Sequence, residues 1–397
     1  MSCSDHTSRA GDQPGAHREW PRAREAAERL GAELAPTPRD LPLGRALGGV
    51  LGADVTALVG LPPFDASAMD GYAVAGPGPW RLVGTQLAGA PSAREALRPG
   101  EAVEIATGAR VPKGTESVLP YERSDVDGEV VSGGIERGRH VRWAGEETEP
   151  GETVLARGAR VTPTVLGLAA GLGHDTLPVL LPRVSVLVTG DELATSGLPG
   201  EGSVRDAIGP LVPGFLGWAG AELCEVRHLG DDRAALVEAV TAGGTDVVVV
   251  CGSSSKGPAD HLRAVLEEVG AATVVDGVAC RPGHPQVLAH RDGTAFVGLP
   301  GNPGAALVAI LTLLVPLVSA LAGRRDPTRA PGTVELEGDV AAHPRDTRLL
   351  PVRLVGARAR PVGHDRPGSL RGAALADAYA VVPPRWDGAP VELLLLP

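Results

Sequence analysis

Aromatic side chains are scarce in this sequence, and lysine is scarcer still. The 397 residues include five Trp, three Tyr and three Phe, and the formal net charge is −11. Proteins that bind single-stranded nucleic acid stack the bases on aromatic rings, and duplex binders carry a basic patch. We therefore expect no nucleic-acid partner. Because Lys113 and Lys256 are the only lysines, a clamp for an anion would be built mostly from arginine, which can bind phosphate through two hydrogen bonds.

Cysteine is also sparse, and we expect no signal peptide at the N-terminus. The cysteines lack the CxxC spacing of metal or redox sites, so we predict free thiols in a reducing compartment: Cys3, Cys224, Cys251 and Cys280. The first residues contain no apolar stretch typical of a signal peptide. The expected location is cytoplasmic, and residues 1–16 are predicted to be a disordered tail.

One uncharged segment, residues 304–323, is long enough to cross a bilayer. It contains Thr312, Pro316 and Ser319, stands alone in the sequence and follows a strand and a turn. These features predict a buried core helix and no membrane span.

Glycine and proline are abundant, with 54 and 36 residues, but 43% of the chain is hydrophobic, which is typical of a packed globular protein. A chain of this length is expected to form several domains. Short β-type runs separated by Gly, Pro and Asp indicate a β-rich lobe over residues 80–141. Strands alternate with helices over 182–325, which predicts a doubly wound, mostly parallel sheet. The chain from 332 onward returns to β-type runs, typical of a small barrel or sandwich.

The predicted fold class is therefore α/β and multidomain, with an N-terminal helical region, a β-rich lobe, a doubly wound α/β domain and a small C-terminal β-barrel. A short helix is expected at 46–55. The domain boundaries that we predict are 17–60 with 146–180 for a helical linker domain, 61–145 for the lobe, 181–326 for the α/β domain and 327–397 for the barrel-like domain.

Three loops leave predicted strands at the same edge of the α/β sheet, where ligands bind in such folds: TGDEL (189–193), CGSSSKGPAD (251–260) and LPGNP (299–303). In the second loop, Gly252 and Gly257 free backbone N–H groups, and the hydroxyls of Ser253, Ser254 and Ser255 can donate beside a helix N-terminus. This loop predicts a phosphate site. In the third, Asn302 suits a helix N-cap and Pro303 the first helical position, so that loop alone predicts only a helix start.

Acidic residues follow the same strands: Asp191, Glu192, Asp231, Asp232 and Asp260. Several carboxylates beside an anion site repel one another unless a cation lies between them. Mg²⁺ prefers a few carboxylates together with phosphate oxygens, so a Mg²⁺ site is predicted at this edge. Helix capping remains the alternative for Asp232 and Asp260, because each precedes a predicted helix.

Two further motifs lie in the N-terminal half. Asp70 and Gly71 precede the strand YAV, and Thr107 and Gly108 follow another β-type run. Taken alone, each pair predicts a turn.

Together, these segments resemble the molybdopterin molybdenumtransferase family, which includes MoeA and the E domain of gephyrin. The resemblance is carried by LPPFDASAMDGYAV (61–74), ATGARVPKGTESVLPYE (106–122), TGDEL, GSSSKGPAD (252–260), and RPGHP (281–285) with GLPGNP (298–303), in the family's order. It extends from about residue 18 to the C-terminus.

The resemblance implies an α/β domain of the molybdopterin-binding type in a homodimer of elongated four-domain subunits. The α/β domain of one subunit would face the β lobe of the other, which makes the active site composite. The implied reaction converts adenylylated molybdopterin and molybdate into molybdenum cofactor and AMP with Mg²⁺. Further implied partners are the adenylylating enzyme and apo-molybdoenzymes.

Carried over position by position, the resemblance implies three sets of residues. The catalytic positions are Asp70, Thr107, Glu192 and Asp260. The metal ligands are Glu192, Asp231 and Asp260. The substrate-binding positions are Gly252, Ser253, Ser254, Ser255, Gly257, Asp232, Arg281, His284, Pro300, Asn302, Pro303, Ser369 and Arg353, with Arg348 as the alternative to Arg353.

Some residues depart from the family's pattern. Glu147 replaces an aspartate, Ile208 replaces an asparagine, Ser253 replaces a glycine, and Arg281 and His284 replace two lysines. Arg281 preserves the positive charge, whereas His284 is largely neutral at pH 7 unless a phosphate raises its pKa.

Three other functions are weighed against molybdate insertion. A non-catalytic pterin-binding or scaffold protein could retain the fold without turnover, and tungstate could be inserted in place of molybdate. A generic Mg²⁺-dependent nucleotide hydrolase is disfavoured because the GxxxxGK[ST] phosphate loop is absent from the sequence.

Overall fold

The computed structural model describes residues 18–91, 95–252 and 260–397, and it divides the chain into two units. Unit 1 comprises the chain up to Arg39, residues 48–52 and residues 178–397. Unit 2 comprises residues 40–47 and 53–177.

Up to residue 171 the described elements are mostly short strands. They are β1 (Arg18–Glu19), α1 (Trp20–Glu33), β2 (Arg39–Pro42), α2 (Leu43–Ala46), β3 (Val50–Leu51), β4 (Val55–Thr56), β5 (Ala66–Ser67), β6 (Gly71–Val74), β7 (Trp80–Gln86), β8 (Glu101–Ile105), β9 (Ser117–Pro120), β10 (Ser124–Asp127), β11 (Val130–Gly133), β12 (Val141–Arg142), β13 (Thr153–Leu155) and α3 (Pro163–Gly171). A single 3₁₀ turn, Tyr121–Arg123, follows β9.

From residue 176 onward longer strands and helices alternate before the chain returns to strands. They are β14 (Thr176–Leu180), β15 (Arg183–Thr189), β16 (Leu193–Ala194), β17 (Val204–Arg205), α4 (Val212–Ala219), β18 (Glu222–Leu229), α5 (Arg233–Thr241), β19 (Val247–Cys251), α6 (Leu262–Glu268), β20 (Ala272–Asp276), β21 (Val278–Arg281), β22 (Val287–Arg291), β23 (Thr294–Leu299), α7 (Pro303–Ala309), α8 (Val315–Leu321), β24 (Arg329–Leu336), β25 (Thr347–Val355), β26 (Arg358–Pro361), α9 (Arg371–Ala374), β27 (Ala378–Val382) and β28 (Val391–Leu395).

Unit 1 contains a six-stranded sheet in the order β18–β15–β19–β23–β22–β20. The first four strands are parallel, and β22 is antiparallel to both β23 and β20. The central strand β19 has the sequence VVVVC and is buried along its whole length. An unbroken apolar run of this kind is typical of a parallel strand that is covered on both faces. The predicted doubly wound, mostly parallel sheet is confirmed.

Alternate residues of β19 pack against different helices. Val249 and Cys251 belong to a core shared with α1, α4, α7 and α8, whereas Val248 and Val250 pack with α5 and α6. Because successive side chains of a strand point to opposite faces, one strand serves both layers. This arrangement leaves the carboxyl ends of the parallel strands uncovered by the helix layers.

The segment predicted to be a buried core helix forms such a helix. It runs from Pro303 to Leu321 and is 94% buried over its most apolar window. A π-helical turn, Ile310–Leu314, lies between α7 and α8. The ring of Pro316 would clash with the carbonyl of Thr312 in a regular α-helix, which explains the widened turn. The Thr312 hydroxyl accepts a hydrogen bond from Trp20 Nε1 (3.0 Å) and so ties α1 to this helix.

The C-terminal strands close into a five-stranded barrel, in the order β25–β26–β24–β28–β27 with β27 returning to β25. Its interior is filled by small and β-branched side chains, among them Val352, Ala359, Ala380 and Val391. The predicted small C-terminal β-barrel is confirmed, and the closed ring excludes the sandwich alternative.

Unit 2 contains a six-stranded sheet in the order β10–β11–β7–β8–β6–β9, in agreement with the predicted β-rich lobe. The prediction of a short helix at 46–55 is wrong. Helix α2 ends at Ala46, and the chain then forms strands β3 and β4. Two adjacent glycines, Gly48 and Gly49, disfavour a helix here, and the β-branched residues Val50 and Val55 favour extended chain.

Candidate functional site at the strand ends

The three loops predicted from the sequence leave neighbouring strands of the unit 1 sheet. Strands β15, β19 and β23 end at Thr189, Cys251 and Leu299, and each pairs with the next. The Thr189 hydroxyl donates a hydrogen bond to the Cys251 carbonyl (3.1 Å). Gly252 has a φ of +92°, and a Cβ there would lie 2.7 Å from Thr189 Oγ1, so only glycine fits.

A cavity of about 770 Å³ opens at these strand ends, and we call it the strand-end cavity. Six of the residues predicted from the sequence line it: Glu192, Asp231, Gly252, Asp260, Asn302 and Pro303. The structure therefore brings together residues that are more than 100 positions apart in the chain. The predicted residues Ser253, Ser254, Ser255 and Gly257 lie outside the described residues.

The two adjacent aspartates after β18 have different surroundings. Asp231 lines the strand-end cavity, and its backbone N–H donates to Asp191 Oδ1 (3.2 Å), while the Asp191 N–H donates to Asp231 Oδ2 (3.4 Å). Asp232 Oδ1 accepts from the backbone N–H groups of Ala234 (2.7 Å) and Ala235 (3.3 Å). Asp232 is thus the N-cap of α5, which agrees with the alternative left open for it.

The start of α7 differs from the helix start expected from LPGNP. Pro303 begins the helix, but the Asn302 side chain makes no capping hydrogen bond. Asn302 instead lines both the strand-end cavity and a second one beside it.

A further carboxylate, Asp206, lines the strand-end cavity and was not predicted as a site residue. Its Oδ1 accepts from the N–H groups of Ile208 and Gly209, both at 2.9 Å, and its Oδ2 lies 2.9 Å from His228 Nε2. Burial opposes ionisation of Asp206, but the hydrogen bonds from Gly209, His228 and Ile208 outweigh it and lower the pKa of this carboxyl. An acid followed three residues later by glycine was the only signal in the sequence.

The second cavity measures about 700 Å³ and is lined by Arg281, His284, Pro300 and Asn302, among others. The Arg281 guanidinium is exposed and donates to Asp346 Oδ2 (2.7 Å). His284 Nδ1 lies 2.8 Å from the carbonyl of Val278. The two replacements for the family's lysines therefore share a single cavity.

The barrel approaches both cavities through the loop before α9. Gly368 lines the strand-end cavity and Pro367 the second cavity, and the Pro367 carbonyl accepts from Ala305 N–H (3.1 Å). Ser369 lies next in the chain, and its hydroxyl accepts from Arg371 N–H (3.2 Å).

The two candidate arginines of the barrel occupy different places on β25. Arg348 lies opposite Arg281 in the β21–β25 pair and donates to Asp365 (2.6 Å). Arg353 donates to the Leu375 carbonyl (2.9 Å) and is not among the described residues that line either cavity. Arg348 is likewise not among the described residues that line either cavity, so the choice between the two arginines stays open.

Asp70 and Thr107 lie in unit 2, where the structure brings them together. Asp70 Oδ1 accepts from the Thr107 backbone N–H (2.7 Å), and both residues are exposed. Beside them, the Tyr121 hydroxyl donates to Glu104 Oε1 (2.9 Å), and the Tyr121 ring meets the Tyr72 ring edge-on. Burial and the Glu104 carboxylate raise the pKa of Tyr121 to about 12.

Ile208 and Glu147, which depart from the family's pattern, lie in different surroundings. Ile208 is 6% exposed and packs in the core with Val188 and Val212, so an apolar side chain fits that position. Glu147 is exposed in unit 2, where its backbone N–H donates to the Leu61 carbonyl (3.0 Å).

The donor chemistry of the strand-end cavity fits Mg²⁺. Among the described residues, no three His, Cys, Asp or Glu side chains are grouped as a ready-made metal site. Mg²⁺ is commonly held by one or two carboxylates together with substrate oxygens and water, so a full protein cage is not required. Glu192, Asp231 and Asp260 offer the carboxylate oxygens that this ion prefers.

Comparisons with known proteins cover nearly the whole chain. Residues 22–173 match the family model for the MoeA N-terminal region (domain I and II). Residues 185–320 match a probable molybdopterin binding domain, and residues 333–396 match the MoeA C-terminal region (domain IV).

Individual relatives agree. The chain is 38% identical over 329 residues to molybdopterin molybdenumtransferase 2 of Mycobacterium tuberculosis, covering 76% of this chain and 80% of that protein. It is 33% identical over 309 residues to molybdopterin molybdenumtransferase of Haemophilus influenzae, covering 73% and 74%. A solved molybdopterin biosynthesis MoeA protein from Pyrococcus horikoshii superposes with a TM-score of 0.71 at 26% identity, covering 96% of this chain and 99% of that one.

Proposed function

The chain belongs to the molybdopterin molybdenumtransferase (MoeA) family, and on that basis we propose that it inserts molybdate into adenylylated molybdopterin and releases AMP. The observation that carries the proposal is the group of carboxylates around the strand-end cavity, at the edge where ligands bind in doubly wound folds. The volume of the strand-end cavity, about 770 Å³, is within the range of small-molecule sites.

Each residue has a role that follows from its place. Gly252 leaves the backbone bare at the end of β19, where a phosphate can approach it, and Asn302 offers an amide to the same ligand. One or two of the carboxylates of Glu192, Asp231 and Asp260 would hold Mg²⁺ together with substrate oxygens, and the others would accept hydrogen bonds from the N–H groups of the pterin. When Mg²⁺ is bound, it spreads the negative charge that develops as the phosphoanhydride is cleaved.

The second cavity suits an oxyanion. Arg281 and Arg345 line it and carry positive charge, and His284 adds a ring nitrogen. We assign this cavity to the phosphate or to the molybdate substrate, with Pro300 and Ser369 nearby. Tungstate has nearly the same size and charge as molybdate, so the site does not by itself select between the two.

We propose that the protein is a homodimer and that its active site is built from two subunits. Asp70 and Thr107 complete this site. The protein is proposed to act in the cytoplasm, to receive its substrate from the adenylylating enzyme and to pass its product to apo-molybdoenzymes. The domain boundaries given above remain predictions.

The proposal is tested with purified protein, adenylylated molybdopterin, Mg²⁺ and molybdate. We expect AMP to be released, and we expect the other product to reconstitute an apo-molybdoenzyme. Omission of molybdate is the matched control for cofactor formation. Pterin binding without release of AMP would overturn the proposal and support the alternative of a non-catalytic scaffold.

A further inference from the structure

Asp206 is a buried carboxylate in the wall of the strand-end cavity, and its oxygens are already engaged within the protein. Its side chain is 6% exposed, and it bonds to two backbone N–H groups and to His228. A buried carboxylate that loses a donor is strongly disfavoured, so each of these bonds constrains where the carboxyl group lies.

The Asp206 carboxyl group packs closely against Gly209 in the turn that it closes. A Cβ added at Gly209 would clash with Asp206 Oδ2 and would lie 3.2 Å from Asp206 Cγ and 3.4 Å from Val188 Cγ2. The absence of a side chain at Gly209 therefore leaves the room that the Asp206 carboxyl group occupies. A shift of Asp206 would move this backbone with it.

The same turn is connected to Glu192. Strands β16 and β17 pair in parallel, the Val204 N–H donates to the Glu192 carbonyl (2.9 Å), and the Asp206 N–H donates to the Ala194 carbonyl (3.1 Å). Glu192, Arg205 and Asp206 all line the strand-end cavity. The segment that carries Glu192 and the turn of Asp206 are thus two sides of one hydrogen-bonded wall.

His228 anchors this wall to the sheet. It lies on the edge strand β18, opposite Val188 of β15, and it is not among the described residues that line the strand-end cavity. Its side chain hydrogen-bonds to Asp206, and Asp206 does line the cavity.

We propose that Asp206 and His228 are positioning residues for the reaction proposed above: His228 fixes Asp206, and Asp206 fixes the wall that presents Glu192 to the substrate. This inference rests on the proposed function for its kinetic readout. Its structural readout, the order of the wall, can be measured without any substrate.

The first test compares three variants on β18. His228→Leu removes the donor, His228→Gln retains a side-chain N–H that can reach Asp206, and Val226→Ala is a control on the same face of the strand. A hydrogen bond to a charged group corresponds to a factor of about 10 to 100 in an equilibrium constant. We expect His228→Leu to raise the KM for the adenylylated pterin roughly tenfold while kcat stays within about twofold. His228→Gln should restore most of the wild-type KM, and Val226→Ala should match wild type.

The second test measures amide hydrogen exchange at Ile208 and Gly209 in the free protein. Both N–H groups donate to Asp206, so exchange should accelerate in His228→Leu and return toward wild type in His228→Gln, with the melting temperature recorded for each variant.

The two tests separate the inference from the proposed function. A wild-type protein that releases no AMP contradicts the function, but the exchange pattern still decides the inference. Unchanged exchange and unchanged KM in His228→Leu would overturn the inference while leaving the function standing. Equal losses in His228→Leu and His228→Gln would also overturn it, because the hydrogen bond would then not be the cause.

Discussion

The strand-end cavity of unit 1 and the Asp70–Thr107 surface of unit 2 hold their acids in different ways. In the cavity, Asp206 is buried, Asp231 and Asp260 are half-buried, and Glu192 is exposed. On the surface, Asp70 is exposed and is held by one recorded side-chain hydrogen bond, from Thr107. Charges interact strongly where water is excluded and weakly where it is not. The buried and half-buried carboxylates of the cavity should therefore interact more strongly with a bound charge than the exposed carboxylate of Asp70.

The largest effect should come from removing a carboxylate of the cavity. We expect Glu192→Gln, which retains the shape of the side chain, to lower kcat/KM for AMP release by about 100-fold or more, because a carboxylate that we propose to hold Mg²⁺ or the pterin loses its charge. The measurement is steady-state kinetics with the adenylylated pterin.

Asp246→Asn is the matched control for Glu192. Asp246 lies at the opposite end of the sheet, where its Oδ2 accepts from the Arg183 N–H (2.6 Å), and asparagine can accept the same bond. An equal loss in both variants would mean that the carboxyl ends of the strands have no special role.

A smaller effect is expected on the exposed surface. Asp70→Ala should lower kcat/KM about 10-fold to 100-fold, since Asp70 is an exposed carboxylate that we do not propose as a Mg²⁺ ligand. Binding of the pterin to unit 1, measured by equilibrium titration, should change little.

Asp54→Asn is the control for Asp70, because Asp54 is also exposed in unit 2 and its Oδ1 also accepts one backbone N–H, from Arg157 (2.7 Å). If Asp70→Ala weakened pterin binding as much as Glu192→Gln, the distinction between the two regions would fail.

The third prediction concerns the neighbouring aspartates after β18. Because Asp232 caps α5, Asp232→Ala should lower the free energy of unfolding by about 1 kcal/mol, and Asp232→Asn should restore it. Chemical denaturation measures both. Asp231 makes no such cap, so Asp231→Asn should affect activity more than stability. The reverse result would exchange the roles given to these two residues.

The smallest effect concerns Tyr121. Its pKa is raised to about 12, so the folded protein keeps the phenol protonated at pH values where the unfolded chain, with a pKa of about 10, loses the proton. The stabilising contribution is complete below about pH 10 and is lost as the pH rises towards about 12. With three tyrosines in the chain, an absorbance titration of wild type and Tyr121→Phe can identify this group. Glu104→Gln should lower its pKa, and ionisation of Tyr121 near pH 10 in wild type would contradict the assigned hydrogen bond.

Much of the fold was predictable because its signals are local. The apolar composition of the VVVVC run of β19, and of the uncharged segment that ends at Leu321, predicts that both are buried. Residues 46–55 were mispredicted because alanine and leucine suggested a helix, whereas Gly48 and Gly49 decided the outcome.

The candidate site was predictable where a loop leaves a buried strand, as at Glu192, Asp231 and Asn302. It was not predictable where the contact depends on tertiary structure. Asp206 meets His228 across 22 residues, and Arg281 lies opposite Arg348 through the pairing of β21 with β25. No spacing in the sequence encodes either contact.

The most direct test of the central claim is a crystal structure of the protein with adenylylated molybdopterin and Mg²⁺ bound. The account predicts that the ligand occupies the strand-end cavity, with its phosphate or pterin groups in contact with Glu192, Asp231 or Asp260, directly or through Mg²⁺. A bound ligand that reaches none of these carboxylates would contradict it.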